Sequence, residues 1–296
     1  MKPPLPYRVL SAAFLLTVGG VPLFQALVEI YRGERPQVCE LLACEPSQAN
    51  LRLFERSLEA SCIVAQAVRP WVQAAQFFGL REAGEKVRAG PDGWLFYEPG
   101  VSALTQRPRR GEACAREAVT AAVDFRDQLA ARGIRLLVVP VPNKESVYPE
   151  RLAPQAGTGV FVGGEALRFF ILSREAGLEV VDLFEAFREA RAHCREPLYL
   201  AQDSHWTPAG LRVAVDAVAD RLLSLGWVTR GSATFERRPV YVRRHGDLVR
   251  ILRSPAVEMW LPQECVVAEQ LVRAPDADFV SPVLVLGDSF LRIYEL

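Results

Sequence analysis

The chain is predicted to fold as an α/β domain with a three-layer, mostly parallel sheet, preceded by an apolar helix. Short leucine- and valine-rich segments alternate with amphipathic segments at helical spacing, and an uncharged apolar run stands near the N-terminus. Parallel strands are covered by helices on both faces, so they appear as short runs that are apolar throughout. With 296 residues, 50% of them hydrophobic, the chain can bury a sizeable core.

The apolar run near the N-terminus extends from Val9 to Val28 and is preceded by Lys2 and Arg8. Its length suits a helix that crosses a bilayer, and the basic flank predicts a cytoplasmic N-terminus with export of the chain beyond the helix. Signal peptides have shorter apolar cores, so we favour an uncleaved anchor over a cleaved signal. We expect residues 1–30 to form this signal anchor.

Composition limits the classes of partner. The net charge is zero, so the sequence lacks the basic footprint of a nucleic-acid-binding protein. The six cysteines have no metal-type spacing such as C-x-x-C, and we expect neither a metal nor a cofactor. In an oxidising compartment the even number permits up to three disulfides of undetermined pairing, while Cys62 and Cys114 fall in helical patterns and are alternatively free buried thiols.

Residues 31–89 are predicted to form a helical N-terminal segment. Ser47 can cap a helix, the apolar positions from Leu51 to Cys62 recur at helical spacing, and Pro70 breaks or restarts the pattern. Asp92 and Gly93 then give a hairpin signal before the strand-like run Trp94 to Tyr97.

From Glu112 onward helices and strands alternate. The predicted helices are Glu112 to Arg132, Glu165 to Ala176, Phe184 to His193 and Pro208 to Leu225. The predicted strands are Ile134 to Val141, Glu179 to Leu183, Pro197 to Leu200 and Pro282 to Leu286. The stretch from Trp227 to Val280 has no clear pattern and is interpreted as an irregular insertion.

Two short runs supply the residue types of a serine-based acyl-transfer site: Asp203-Ser204-His205-Trp206 and Gly287-Asp288-Ser289-Phe290. A serine hydroxyl needs an imidazole to take its proton and a carboxylate to fix the imidazole tautomer. Asp203 and His205 are two positions apart, so in an extended segment they project to the same side. Sites in parallel sheets lie at the carboxyl ends of strands, where we expect these groups to meet.

The local sequence around each run favours a rigid site. Thr207 and Pro208 are typical of a helix start, which would hold His205 in a tight loop, and Asp288 is expected to cap the turn at Ser289. If Phe290 to Leu296 opens a helix, its first N–H groups would face the developing oxyanion.

Together with these runs, the order of several landmarks resembles that of the SGNH-hydrolase-like O-acetyltransferases of bacterial exopolysaccharide biosynthesis, the alginate O-acetyltransferase AlgJ/AlgX family. The landmarks are Gly90-Pro91-Asp92-Gly93-Trp94-Leu95-Phe96, Val141-Pro142-Asn143-Lys144-Glu145-Ser146-Val147-Tyr148-Pro149 and Gly246-Asp247-Leu248. In common SGNH hydrolases the serine comes first, whereas this family and this chain have it last.

The resemblance implies roles for single residues. Ser289 would be the nucleophile, His205 the general base and acid, and Asp203 the orienting carboxylate. The family fold implies an SGNH-hydrolase-like catalytic domain over residues 90–296. Family members continue through further strands after this serine, so we expect the C-terminal part of that domain to be missing.

The family also implies a setting and partners: transfer of acetyl groups to hydroxyls of an alginate-like exopolysaccharide in the periplasm, by a protein anchored in the inner (cytoplasmic) membrane. A membrane-bound O-acyltransferase would deliver the acetyl groups. Lys144 and Tyr148 lie just after a strand end and are candidates for substrate contact, although Tyr148 can equally cover the core. Trp206 can stack on a sugar ring or pack beneath the loop.

Two other functions use the same features. A carbohydrate esterase would employ the same three residues and pass the acyl group to water. A membrane-tethered binding or scaffold subunit would have lost its activity with the missing strands.

Overall fold

The computed structural model describes residues 5–43, 45, 47–105, 111–231, 234–273 and 281–294. The chain divides into two compact units, one ending at Ala75 and the other beginning at Gln76. Within the described ranges the first unit consists of helices, and all the strands belong to the second.

The described residues of the first unit form five α-helices: α1 (Leu5–Leu15), α2 (Val21–Tyr31), α3 (Gln37–Ala43), α4 (Gln48–Ser61) and α5 (Ile63–Ala75). A π-helical turn, Leu16–Gly20, joins α1 to α2. As a result Val9–Tyr31 forms one helix of 23 residues with a mean hydropathy of 1.7, long and apolar enough to cross a membrane. It contains the predicted run from Val9 to Val28.

The polar face of α2 is fixed by hydrogen bonds inside this unit. Gln25 and Glu29 are buried, and Nε2 of Gln25 donates to Oε1 of Glu29 at 2.8 Å. The second oxygen of Glu29 accepts the N–H of Gln37 at 3.0 Å, and Oε1 of Gln25 accepts the N–H of Ile63 at 3.0 Å. These acceptors satisfy backbone donors at the starts of α3 and α5, which have no partner within their own helices.

The predicted cap at Ser47 is confirmed, because its hydroxyl accepts the N–H of Asn50 at 3.1 Å. The predicted break at Pro70 is wrong. The helix that Ser47 caps ends earlier, at Ser61, because the backbone of Cys62 is extended, and Pro70 lies inside α5. A proline costs a helix one hydrogen bond and adds a steric clash, and α5 accommodates both.

Cysteines 39, 62, 114, 194 and 265 are unpaired in the described part of the chain. Cys62 is buried, as a free thiol in the core would be, whereas Cys114 is exposed. Cys44 lies outside the described residues.

The second unit opens with a π-helical turn, Gln76–Leu80, and the predicted hairpin. Strands β1 (Val87–Ala89) and β2 (Leu95–Tyr97) pair antiparallel, with Val87 opposite Tyr97, around a 3₁₀ turn at Pro91–Gly93. Gly93 has a φ of 77°, a conformation that glycine adopts without steric cost. The next element is the helix α6 (Glu98–Thr105).

The predicted helices of this unit form within one or two residues of their expected ends. They are α7 (Gly111–Ala130), α10 (Gly164–Glu175), α11 (Leu183–His193) and α12 (Pro208–Ser224). Two short helices, α8 (Lys144–Val147) and α9 (Pro149–Leu152), lie between α7 and α10. The hydrophobic core they cover includes Phe96, Val147, Phe187, Leu198 and Trp206.

The predicted strands between Ile134 and Leu200 are largely buried or half-buried, but their pairing is sparse. Val138 and Val180 form a single parallel bridge, in which the N–H of Val138 donates to Glu179 and the N–H of Val181 to Val138, both at 2.9 Å. Tyr199 forms an antiparallel bridge with Trp206. An apolar pattern reports burial and does not specify a hydrogen-bonded neighbour.

The segment predicted as the strand Pro282 to Leu286 is corrected by the structure. It joins no ladder among the described residues, and Leu284, Val285 and Leu286 are 83%, 62% and 75% exposed. A strand becomes buried only when neighbours cover its faces and edges, and none of the described strands pairs with this segment.

The stretch interpreted as an irregular insertion is largely a long antiparallel ribbon. Strand β3 (Glu236–Arg244) pairs with β4 (Glu264–Arg273) from Arg244 opposite Glu264 outward. The helices α13 (Asp247–Ile251) and α14 (Pro255–Trp260) connect the two strands. The base of this ribbon, at Arg244 and Glu264, contacts the loop that carries Asp203 and His205.

Candidate active site

Ser289 is the first residue of a one-turn helix, α15 (Ser289–Arg292). The predicted cap is confirmed, since the carboxylate of Asp288 accepts the N–H of Phe290 at 3.0 Å. Because α15 is so short, and its Phe290 amide is already bound by Asp288, it does not present the row of free N–H groups expected from a longer helix.

His205 lies in a tight loop before α12. The N–H of Leu200 donates to the carbonyl of His205 at 3.1 Å, and the hydroxyl of Thr207 caps α12 by accepting the N–H of Gly210 at 3.2 Å. The imidazole is buried. The loop on one side and the helix cap on the other therefore fix its orientation, as the sequence predicted.

Asp203, His205 and Ser289 meet in one hydrogen-bonded chain. Nδ1 of His205 lies 2.6 Å from Oδ1 of Asp203, and Nε2 lies 2.7 Å from Oγ of Ser289. An ionised carboxylate only accepts hydrogen bonds, so Nδ1 carries the hydrogen and Nε2 is left to accept from the serine hydroxyl. This is the arrangement that a serine nucleophile requires.

Asp203 is buried and fully hydrogen-bonded. Its Oδ1 also accepts the N–H of His205 at 3.1 Å, while Oδ2 accepts from the N–H of Asp247 at 3.0 Å and the Arg244 guanidinium at 3.1 Å. Burial by itself would raise the pKa of Asp203, but the hydrogen bonds from His205 and Asp247 and the charges of His205 and Arg244 lower this pKa to about 2. Asp203 is therefore a carboxylate at neutral pH.

The backbone of the loop around Asp203 is held by two charged side chains, the buried Lys144 and the half-buried Glu264. The ammonium of Lys144 donates to the carbonyls of Leu200, Ala201 and Asp203 at 3.0, 3.1 and 2.7 Å. The carboxylate of Glu264 accepts the N–H groups of Ala201 and Gln202, at 2.6 and 2.8 Å. Burial lowers the pKa of Lys144 to about 8, against the opposing charges of Glu264 and Asp203, and burial raises the pKa of Glu264.

The three residues predicted to bind substrate are placed differently from that prediction. Lys144, Tyr148 and Trp206 are 2%, 8% and 3% exposed. The ammonium of Lys144 is surrounded by carbonyls, and the hydroxyl of Tyr148 accepts the N–H of Leu198 at 2.8 Å. The polar atoms of these side chains form hydrogen bonds within the protein. The side chains are therefore part of the core and are not positioned to contact a substrate.

Trp206 connects the histidine loop to α15. Its Nε1–H donates to the carbonyl of Phe290 at 3.0 Å, and the two rings meet edge to face at 5.0 Å. The hydroxyl of Tyr294 donates to the carbonyl of Trp206 at 3.0 Å, and the ring of Phe290 lies 4.7 Å from the imidazole of His205. These contacts hold Ser289 within hydrogen-bonding distance of His205.

Sequence reasoning did not assign a role in the hydrogen-bonded site to Arg244, Asp247, Glu264, Phe290 or Tyr294. Arg244 belongs to an arginine pair that is typical of an exposed charged run, yet its guanidinium reaches Asp203. The Gly246-Asp247-Leu248 landmark was the available signal for Asp247. No local pattern marks the others, because their partners are distant in the chain.

Ser289 borders a cavity of about 460 Å³, which is lined by Gly287, Asp288, Ser289 and Arg292. Among the described residues, Asp203, His205 and Asp247 are the group whose atoms are close enough to share a metal ion, within 4.8 Å of one another. Their facing atoms already bind each other or Ser204, at distances typical of hydrogen bonds. We therefore assign this group to hydrogen bonding.

The fold and this site define an SGNH-hydrolase-like domain. The fold is similar to that of the O-acetyltransferase domain of Pseudomonas putida AlgJ, with a TM-score of 0.52 and 24% sequence identity. The similarity covers 64% of this chain and 66% of that chain.

The chain belongs to the family described as "SGNH hydrolase-like domain, acetyltransferase AlgX", whose model matches residues 87–292. A protein named "Probable alginate O-acetylase AlgJ" from Pseudomonas putida is 31% identical over 151 residues, which is 50% of this chain and 37% of the relative. "Alginate biosynthesis protein AlgX" from Pseudomonas aeruginosa is 33% identical over 101 residues, which is 33% of this chain and 21% of the relative. The chain thus spans less than half the length of the curated relatives it matches.

Proposed function

We propose that the chain is an O-acetyltransferase that transfers acetyl groups to hydroxyls of an exopolysaccharide through Ser289, His205 and Asp203. The observation that carries this proposal is the continuous hydrogen-bonded chain from Asp203 through His205 to Ser289. Family membership and relatives named for alginate O-acetylation support acetyl transfer as its chemistry.

In the first half of the reaction, Oγ of Ser289 attacks the carbonyl carbon of an acetyl donor as its proton moves to Nε2 of His205. The bond from that carbon to the leaving group then breaks, and the imidazolium returns the proton to the leaving group. Asp203 stays ionised throughout and stabilises the imidazolium. Its low pKa of about 2 suits this role.

In the second half, His205 takes the proton of a sugar hydroxyl, whose oxygen attacks the acetyl-serine. The C–O bond to Ser289 breaks, and His205 returns the proton to Oγ. Water attacking in place of the sugar would make the same site an esterase. The ratio of the two products depends on how well an acceptor fills the cavity beside Ser289.

We propose that the acceptor is a polysaccharide that carries carboxylate groups, as alginate does. The guanidinium-bearing side chain of Arg292 lines the same cavity as Ser289. Arginine pairs with carboxylates through two parallel hydrogen bonds, which would orient a uronic acid beside the acetylated serine. The relatives named for alginate support this class of acceptor.

For the organisation of the chain, we propose a signal anchor over residues 1–30, a helical segment over 31–89 and a catalytic domain over 90–296. The helix Val9–Tyr31 and the basic residues before it support an anchor in the inner membrane with the catalytic domain in the periplasm. In this position the domain would receive acetyl groups from a membrane-bound O-acyltransferase, as the family resemblance implies.

The experiment that tests the function uses the full chain in detergent or nanodiscs, an isotopically labelled acetyl ester and an oligouronate acceptor. Transfer predicts labelled acetyl on the oligosaccharide with the wild type and none with Ser289→Ala. Ser224→Ala, which removes an exposed serine hydroxyl on α12, serves as the matched control and keeps the wild-type rate. Labelled acetate alone would identify an esterase, and no Ser289-dependent turnover would support the scaffold alternative.

A further inference from the structure

The landmark Gly246-Asp247-Leu248 has no part in the proton transfers above, although it lies against the residues that carry them. Asp247 lies 44 positions after Asp203, and its backbone N–H donates to Oδ2 of Asp203 at 3.0 Å. The Asp247 carboxylate accepts the N–H of Ser204 at 2.7 Å and also the hydroxyl of Ser204. One residue therefore binds both the side chain of Asp203 and the peptide that comes after it.

This close approach depends on the glycine before Asp247. A Cβ at position 246 would lie 2.0 Å from the carbonyl oxygen of Gln202 and 2.7 Å from the N of Asp203, both backbone atoms. Leu248, which is fully buried, anchors α13 in the core behind the contact. Gly246 thus permits the close approach, Asp247 makes the contacts with Asp203 and Ser204, and Leu248 holds α13 in place.

Asp247 also bears on the charge of the imidazole. Its Oδ2 lies 3.7 Å from Nδ1 of His205, and its side chain is 36% exposed. Nδ1 therefore faces two carboxylates, Asp203 at hydrogen-bonding distance and Asp247 slightly farther away. Among the described residues, the other charged or titratable groups that interact with this cluster are Arg244 from β3, Lys144 from α8, Glu264 from β4 and Tyr294 after α15.

We propose that Asp247 is a positioning residue for the Asp203–His205 pair. Its backbone N–H orients the Asp203 carboxylate, its side chain fixes Ser204, and its negative charge favours the imidazolium that forms when Ser289 loses its proton. The inference rests on the proposed function only in naming Ser289 as the group that is deprotonated.

The side-chain part of this role is separable from the backbone part. Asp247→Asn keeps the backbone N–H to Asp203, and its amide can still accept from the N–H of Ser204, but it removes the charge. Asp216→Asn makes the same exchange on α12 and serves as the control, since Asp216 has no part in the site. A charge at roughly 4 Å, partly screened by water, is expected to change the rate by about fivefold to tenfold.

The experiment measures the labelling rate of Ser289 by a fluorophosphonate, in the full chain, as a function of pH. For Asp247→Asn we expect the maximal labelling rate to be lower than that of the wild type by about fivefold to tenfold. The pH at which labelling is half-maximal should be lower by about half a unit or more, and the melting temperature should be unchanged. Because Asp203, His205 and Asp247 interact, the midpoint belongs to the group rather than to one residue. Asp216→Asn is expected to match the wild type.

A rate and a pH midpoint equal to those of the wild type would overturn the inference. So would a loss explained by a lower melting temperature, since that would indicate a role in folding alone. Labelling does not require acetyl transfer, so the two proposals fail separately: a missing acetylated sugar rejects the proposed function, and an unchanged labelling profile rejects the role of Asp247.

Discussion

Oγ of Ser289 lies 2.7 Å from Nε2 of His205, although the two residues are 84 positions apart. The contact is supported from both sides. Trp206 follows His205, and Phe290 follows Ser289. The indole N–H of Trp206 donates to the carbonyl of Phe290, so a second hydrogen bond joins the two segments next to the serine–histidine contact. The packing of the two segments thus brings the backbones of Ser289 and His205 close enough for their side chains to make this contact.

Asp203→Asn is predicted to reduce acyl transfer by about 10⁴-fold. The amide of asparagine would donate to Nδ1, which forces the hydrogen of the neutral imidazole onto Nε2 and removes the acceptor for the Ser289 proton. Steady-state turnover of an acetyl ester measures the effect, with Asp220→Asn at an exposed position of α12 as control. Activity within tenfold of the wild type would show that Asp203 does not set the tautomer.

The low pKa of Asp203 predicts a stability difference that depends on pH. This pKa is lowered in the folded state to about 2 from an ordinary value of 3.8, so the carboxylate stabilises the fold above about pH 4 and loses this contribution as the pH falls through 2. The full effect is roughly 2 kcal/mol. The pKa values of Asp247 and Glu264 are raised, mainly by burial, and act in the opposite direction.

The measurement is therefore a comparison between two proteins. Urea unfolding of the wild type and of Asp203→Asn, from pH 6 down to the lowest pH at which both fold, is expected to give a free-energy gap that narrows below about pH 4. A gap that stays constant over this range would contradict the lowered pKa.

Lys144→Met is predicted to destabilise the protein and to slow acyl transfer. The variant removes the donor shared by the carbonyls of Leu200, Ala201 and Asp203, and each buried acceptor left without a partner costs about 1–3 kcal/mol. Lys86→Met, at an exposed lysine, is the control. Thermal unfolding and turnover together check the prediction; a stable variant with full activity would mean that the loop holds its shape without the ammonium.

Arg292→Gln is predicted to raise KM for a carboxylated acceptor by about fivefold while leaving KM for a neutral oligosaccharide unchanged. The difference should shrink as salt is added, because an exposed ionic contact is screened. Arg195→Gln, an exposed arginine after α11, provides the control. An equal change in KM for both acceptors would indicate that Arg292 does not bind the carboxylate.

The residue types and their order predicted the serine, histidine and aspartate because the chemistry needs those side chains, and both caps beside them have local sequence signals. Arg244 and Asp247 could not be found in this way. Their hydrogen bonds to Asp203 span 41 and 44 positions, and one of them uses a backbone N–H that any residue other than proline provides. The ribbon of β3 and β4 was missed because its apolar residues do not keep to one buried face: Tyr241, Val267 and Leu271 are exposed, although Ala268 is buried.

The four long helices of the second unit, α7, α10, α11 and α12, were predicted well because helical spacing is visible within a single segment. Strand pairing depends on a second segment, which explains why Val138 and Val180 form one bridge where two strands were expected. The same reason applies to the segment before Ser289. Its leucines and valines predicted a buried strand, but without a paired neighbour among the described strands they are exposed. The Lys144 ammonium binds the loop that carries Asp203, whereas the hydroxyl of Tyr148 binds Leu198, and the burial of both side chains could not be predicted from the sequence.

The most direct test of the central claim is to trap the acyl-enzyme. The full chain is incubated briefly with an isotopically labelled acetyl ester, quenched in acid and digested, and the acetylated peptide is identified by mass spectrometry. We predict labelled acetyl on Ser289 in the wild type and its loss in His205→Gln. Acetyl on a different residue, or on Ser289 to the same extent without His205, would contradict the proposed mechanism.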